Sequence, residues 1–363
     1  MELNLKIIII IILITILFCN RKKIEMFGNY KAECNILPKA IKLALEKRKM
    51  SKITNKEWDY YIPCGYTYCE SKVRKFKSEK TGKKIFMIDG CDSIASKVTI
   101  WQLLKNEFGD KANSVMPETF ILEDKRDMAD FIKFYKMKKS ENPNSKFILK
   151  NFQQRQEGLR LENDLNNINK SVLDNFKIIQ DYLENPFIIA GRKINLRYYL
   201  LIRCQNGKIN GWIYNDGFVY YTPKDFIKYS MDFNRNITTG YIDRKIYEVN
   251  PLTIKDFRKY LGRERAEKWD NEVIKKMGMV MKALSRKICK SSKLSKHLRF
   301  QIFGADLAPD ENLEGTLMEI NKGPDISFKD QRDGGVKKNM VLDAFSVIDP
   351  IDSKVKHGFI KVF

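Results

Sequence analysis

An α+β fold is predicted by this 363-residue sequence. Two patterns carry the prediction. Strand-like and helix-like segments follow one another without the strict β–α–β alternation of a parallel sheet. Near the C-terminal end an amphipathic helix leads into a hairpin. Trp269, Val273, Met277, Val280, Leu284 and Ile288 recur every three or four residues, and Phe300 to Leu307 and Thr316 to Asn321 then flank a turn around Asp310 to Gly315. Hydrophobic residues make up 43% of the chain, enough for a substantial core.

The first segment is Ile7 to Cys19, an isoleucine-dominated run followed at once by Arg21, Lys22 and Lys23. As a helix it reaches about 20 Å at ~1.5 Å per residue, short of the roughly 20 residues a hydrocarbon core needs. A short anchor over residues 3–19 or a signal-peptide core is expected, within a segment taken as 1–24. Bulky Phe18 and the basic cluster make a poor cleavage site, which favours retention. Basic residues after the apolar run favour the cytoplasmic side, so the rest of the chain is expected in the cytosol.

Ile36 to Lys49 predicts a basic helix with Ile36, Leu37, Ala40, Ile41, Ala44 and Leu45 on one face. Tyr60 to Pro63 and Lys84 to Asp89 read as strands across a lysine-rich loop. Ile94 to Phe108 reads as a helix stopped by Gly109, Pro117 to Leu122 as a strand and Asp127 to Lys138 as a helix. Glu141 to Ser145 is a turn. Phe147 to Lys150 is an apolar strand ending in lysine, and Gln153 to Gly158 a polar loop. Lys177 to Tyr182 and Arg192 to Arg203 are further strands, and Gly211 to Tyr221 is a glycine-punctuated strand pair.

Charge narrows the partners. Lys and Arg total 67 against 45 Asp and Glu, a net +22. Such a field attracts polyanions and raises encounter rates by roughly 10–10³ at low salt. Nucleic acid, anionic membrane and an acidic polypeptide tail all satisfy it, but no RNA- or DNA-binding module signature is present. The seven cysteines are odd in number and scattered without a CxxC pair, and there are two histidines. Neither a zinc site nor a disulfide framework is expected, and a reducing compartment is preferred.

Two groups of residues suit chemistry. In FGADLAPDENLEGTLMEINKGPD, Asp306 closes one strand while Glu319 and Asn321 share a face of the next, because strand side chains alternate. Two carboxylates and an amide carbonyl make a hard oxygen set suited to Mg²⁺; the plain alternative is an exposed polar hairpin face. The second group is cationic. Lys150 ends an apolar strand, where an ammonium is costly unless it meets an anion. Lys193 and Arg197 stand four apart on GRKINLRYYLLIR, so both face one side, and an arginine fork matches phosphate or carboxylate. Structural ion pairing is the alternative here.

These residues carry a resemblance. FILK, then GRKINLRYYLLI with YNDGFVYYT, then FGADL with LMEIN occur in the order and approximate separation of the tubulin–tyrosine ligase-like family, over about Lys97 to Phe345. The resemblance implies an ATP-grasp fold, with the nucleotide held between two α+β lobes: an N-terminal lobe over 25–116, a central lobe over 117–185 and a C-terminal lobe over 186–363 containing the metal site. It implies Lys97 and Lys150 at the ATP phosphates and Gln180, Asp181, Tyr182 and Leu183 at the adenine hinge. Lys193 and Arg197 would face the transferred phosphate and the acceptor, Asp306 would touch both nucleotide and metal, and Asp306, Glu319 and Asn321 would hold Mg²⁺. Lys193, Arg197 and Glu319 are thereby implied in catalysis. The implied activity is ATP-dependent addition of tyrosine, glutamate or glycine to a carboxylate of an acidic protein tail such as the tubulin C-terminus, through an acyl-phosphate. The sequence departs from the family at Tyr220, which stands nearest to an expected arginine. This favours an alternative: a catalytically impaired, membrane-tethered binder of acidic tails or microtubules.

Overall fold

The computed structural model describes residues 28–63, 70–151, 158–290, 292–350 and 356–363. The expected anchor (residues 3–19) and most of the loop at 153–158 lie outside them. Among the described residues no helix is long and apolar enough to cross a membrane.

The N-terminal region supplies β1 (Asn29–Ala32), β2 (Ser51–Lys52), β3 (Tyr60–Ile62) and β4 (Lys84–Ile85). The central region supplies β5 (Thr119–Ile121), β6 (Phe147–Lys150), β7 (Leu159–Glu162) and β8 (Ile178–Asp181). The remainder supplies β9 (Ile188–Ile189), β10 (Arg192–Gln205), β11 (Lys208–Tyr221), β12 (Leu298–Pro309), β13 (Gly315–Asn321) and β14 (Phe359–Lys361). The main helices are α1 (Lys39–Lys47), α2 (Lys97–Phe108), α3 (Lys125–Glu141), α4 (Ile254–Leu261), α5 (Arg263–Leu284) and α6 (Gln331–Ile348).

Two sheets result. The larger runs β14-β11-β10-β12-β4-β3-β1-β2, with β13 on β12 and β9 on β10; the smaller is antiparallel, β5-β8-β6-β7. β12 is buried along its whole length because its first residues pair with β4 and its last with β13, while β10 covers the other edge. The apolar residues of β12 are interrupted by Arg299, Gln301 and Asp306, whose burial is offset by Asp89, the Lys322 carbonyl and Arg197 respectively. Tyr60 stacks on Phe345 and Phe86 on Phe300, with ring centroids 5.8 and 4.8 Å apart, joining the N-terminal strands to α6 and β12. Trp269 of α5 is fully buried and donates its indole N–H to the Tyr198 hydroxyl at 2.8 Å.

Several local expectations need correction. Pro38 delays the start of α1, so Ala40, Ile41, Ala44 and Leu45 are buried while Ile36 stays 87% exposed before the helix. The helix expected from Ile94 to Phe108 is broken at Ser96, whose hydroxyl caps α2 by accepting from the Thr99 amide at 3.2 Å. The expected strand pair at Gly211 to Tyr221 is part of a single strand, β11, paired along β10 with a register shift between Tyr198 and Leu200.

The cysteines are also corrected. Cys204, near the end of β10, and Cys289, just beyond α5, form a disulfide with Cα atoms 5.4 Å apart, and Cys34 is disulfide-bonded as well. Their scattered spacing concealed this because the 85-residue separation is closed only by the packing of α5 onto the sheet. Such bonds persist in oxidising surroundings, so the cysteines give no support to a reducing compartment. Replacing both Cys204 and Cys289 by serine is expected to lower unfolding stability by about 2–4 kcal/mol. Identical melting of the native chain with and without reductant would show that the bond contributes nothing.

Candidate active site

A cavity of about 510 Å³ lies between the small sheet and β10–β13. Lys97, Lys150, Asp181, Tyr182, Leu183, Lys193, Arg197, Asp306, Glu319 and Asn321 all line it. Gln180 does not. It is buried within β8, donating to the Thr119 hydroxyl at 2.7 Å, and its Oε1 has no partner.

Strand pairing builds the acidic side. Asp306 of β12 lies directly opposite Glu319 of β13, and Gly304 opposite Asn321. Asn321 donates its amide N–H to Glu319 Oε1 at 3.0 Å, leaving the amide oxygen uncommitted to that bond. Burial opposes ionisation of Glu319, but Lys97, the Asn321 hydrogen bond, Arg197 and Lys150 outweigh it and hold its carboxyl down at about 2. Asp306 goes the other way: burial, aided by the adjacent Glu319 carboxylate, raises its pKa despite the Arg197 guanidinium.

Arg197 is held by geometry that only small residues permit. A Cβ at Gly217 would lie 2.0 Å from the Arg197 carbonyl oxygen, and one at Gly304 would lie 3.0 Å from Arg197 Cδ. The guanidinium then forms a bidentate pair with Asp306 and lies 5.3 Å above the Tyr220 ring. Lys97 stands at the first turn of α2, where the helix dipole disfavours a cation, and reaches Glu319 at 3.2 Å. Lys97 and Arg197 thus neutralise the carboxylates directly, a closer contact than a purely nucleotide-facing role implies.

Lys150 and Lys193 differ from this pair. Burial is the largest influence on each, and nearby lysines add to it, so both are pushed down to about 7. Lys193 donates to the Tyr182 hydroxyl at 3.1 Å and sits 4.2 Å over the same ring. On β10, Asn195 stands between Lys193 and Arg197 on the same face, and its buried Oδ1 has no hydrogen-bond partner. Asp181 is diverted toward Lys138, at 3.0 Å.

Other charged groups in and behind the cavity wall escaped sequence reasoning. Lys146 is fully buried, 3.1 Å from Asn236 Oδ1, 3.7 Å from Glu184 and 4.4 Å over the Tyr182 ring. The signal was present: Lys146, Ile148 and Lys150 alternate, so they share one face of the strand. Arg244, Lys329 and Lys337 also line the cavity with Asp325 and Asp333; α6 and the loop before it supply all but Arg244, which comes from the segment between β11 and α4. No local motif connects them.

Buried ammonium groups and an unpartnered amide oxygen suit an anionic ligand with polar substituents. The facing oxygen donors suit Mg²⁺, which prefers carboxylates supplemented by phosphate and water. Among the described residues no three His, Cys, Asp or Glu side chains gather to hold a metal by themselves. Asp306, Glu319 and Asn321 would form only an incomplete donor set, one that phosphate oxygens would have to complete.

The cleft between the small sheet and β10–β13 thus sets buried lysines against a pair of carboxylates opposed across one hairpin. The sequence model described as "Tubulin-tyrosine ligase family" matches residues 74–357, and the chain belongs to that family. It is 28% identical over 187 residues to a probable tubulin polyglutamylase TTLL9 of Rattus norvegicus, covering 47% of this chain and 38% of the relative. It is 26% identical over 211 residues to tubulin polyglutamylase TTLL7 of Xenopus tropicalis, covering 51% of this chain and 23% of the relative. A probable alpha-tubulin polyglutamylase Ttll1 of Tetrahymena thermophila is 22% identical over 197 residues, covering 48% and 44% respectively. The chain therefore spans less than half the length of each of these relatives in the matched region.

Proposed function

We propose that this chain is an ATP-dependent carboxylate–amine ligase that adds glutamate to a glutamate side chain of an acidic protein tail, with tubulin C-terminal tails as the favoured acceptor. Family membership and the polyglutamylase names of its relatives support the reaction class. The observation that carries the proposal is the cleft itself: Asp306 and Glu319 opposed across β12–β13, facing Lys150 and Lys193 buried in a protein of net charge +22.

ATP enters as substrate. Lys150 and Lys193 hold its phosphates, while Tyr182, Leu183 and the backbone beside Gln180 flank the base. Asp306, Glu319 and Asn321 would hold Mg²⁺, which would offset charge on the phosphate oxygens. The acceptor carboxylate attacks the γ-phosphorus, a new P–O bond forms as the bond to ADP breaks, and an acyl-phosphate results. The glutamate amine then attacks the acyl carbon, phosphate leaves, and the amine proton passes to solvent. Lys97 and Arg197 orient the acidic pair and bring positive charge beside the acceptor. Positioning and electrostatics supply most of such a reaction. Arg244, Lys329 and Lys337 also line the cleft, with Arg244 paired to Asp330 and Lys337 to Asp333. The polyglutamylase names of the relatives favour the active ligase over the impaired binder, and glutamate over tyrosine or glycine.

The test is incubation of the full chain with Mg·ATP, tubulin and glutamate, tyrosine or glycine separately, followed by mass spectrometry of the tubulin tails. Glutamyl additions with matching ADP release are expected. Unmodified tails and no ADP with any of the three would instead support the binder.

A further inference from the structure

Beside the reaction cleft lies a second cavity, of about 670 Å³, with an opposite character. Ile41, Phe86 and Ile302 form its floor, and Leu37, Ile326 and Phe328 its sides. It lies between the start of α1 and the loop that follows β13. Lys39 and Asp325 are its charged members, and Lys39 Nζ sits 5.5 Å over the Phe328 ring. Ile36, also in its lining, is 87% exposed. Pro324 and Asp325 line both cavities, and Asp325 lies 3.8 Å from Lys337, itself a wall of the reaction cleft. The two hollows share Pro324 and Asp325 as a common wall.

From this continuity we infer that the apolar cavity binds a bulky aliphatic or aromatic side chain of the acceptor polypeptide, close in sequence to the acidic residue being modified. The inference rests on the ligase reading for the identity of the acceptor. An acceptor is a polypeptide whose carboxylate occupies only one residue's length of the cleft, and its neighbours must cross the Pro324–Asp325 wall or leave for solvent. A concave apolar site accepts an inserted side chain more readily than a flat partner face. The positive field attracts any acidic segment, whereas this cavity discriminates among acidic segments by shape and apolar area. It thus supplies a selectivity that charge alone lacks.

The experiment uses the full chain and two fluorescent peptides, a run of glutamates with a central phenylalanine and the same run with serine in its place. Fluorescence polarisation reads binding, and ligation of glutamate onto each peptide is followed in parallel. The phenylalanine peptide is expected to bind about tenfold more tightly or better. Ile326→Asn and Leu37→Asn, both at partly exposed positions, are expected to abolish that preference while keeping the serine-peptide affinity, ATP binding and melting temperature. Equal affinity for the two peptides, or a preference that survives both substitutions, would overturn the inference. A preference that responds to the substitutions without any ligation would leave the groove standing and remove the ligase reading. Ligation of both peptides with equal KM would do the reverse.

Discussion

Glu319→Gln is expected to lower ligation and ATP turnover by about 10³-fold with little change in thermal stability. The carboxylate is one third open to the cleft, so its removal leaves no cavity in the core. It is held at about 2, although burial alone would raise it, because Lys97, Asn321, Arg197 and Lys150 surround it. Glutamine keeps the shape and one oxygen but removes the negative charge that those cations and the metal require. Loss of fold, seen as a large fall in melting temperature, would assign Glu319 a structural role. Unchanged turnover in a folded variant would remove the metal site from this hairpin.

ATP affinity is expected to fall steeply above pH 7, approaching tenfold per pH unit for each of two lysines. Lys150 and Lys193 sit near 7 in the free protein because burial and adjacent ammonium groups disfavour their charge. Phosphate oxygens favour the protonated form, so binding raises both pKa values. The sign follows: below pH 7 the lysines are already charged and affinity is at its plateau. Above it each must take up a proton from solvent as ATP enters, at about 1.4 kcal/mol per unit. Calorimetry in buffers of different ionisation enthalpy should detect this uptake, and Lys193→Met should remove part of it. A flat affinity between pH 7 and 9 with no proton uptake would mean that neither lysine meets the phosphates.

The strands around the cleft were largely legible. Phe147–Lys150 occurs at the expected bounds, and β12–β13 form the hairpin read from FGADL and LMEIN, because apolar runs closed by turn residues leave few alternatives. The α6 helix was not recognised. Its first residues, Gln331 to Gly335, carry two glycines and no apolar side chain, and the sequence pattern there looks like a loop. What makes it a helix is the Asp330 cap, accepting from the Asp333 amide at 2.8 Å, and the burial of Val336, Met340, Val341, Ala344 and Phe345 against the sheet. Arg244, Lys329 and Lys337 went unremarked for a related reason: one basic residue among 67 carries no signal until the fold assigns it a neighbour.

By itself the sequence determined the strand faces on which the chemistry stands. Alternation along a strand puts Lys193 with Arg197, and Glu319 with Asn321, whatever the rest of the chain does. Only the tertiary structure decided which faces meet, that Asp306 would be claimed by Arg197 and Glu319 by Lys97, and that Cys204 would find Cys289. Those outcomes depend on contacts across long stretches of chain, closed by burial of apolar surface that local spacing does not encode.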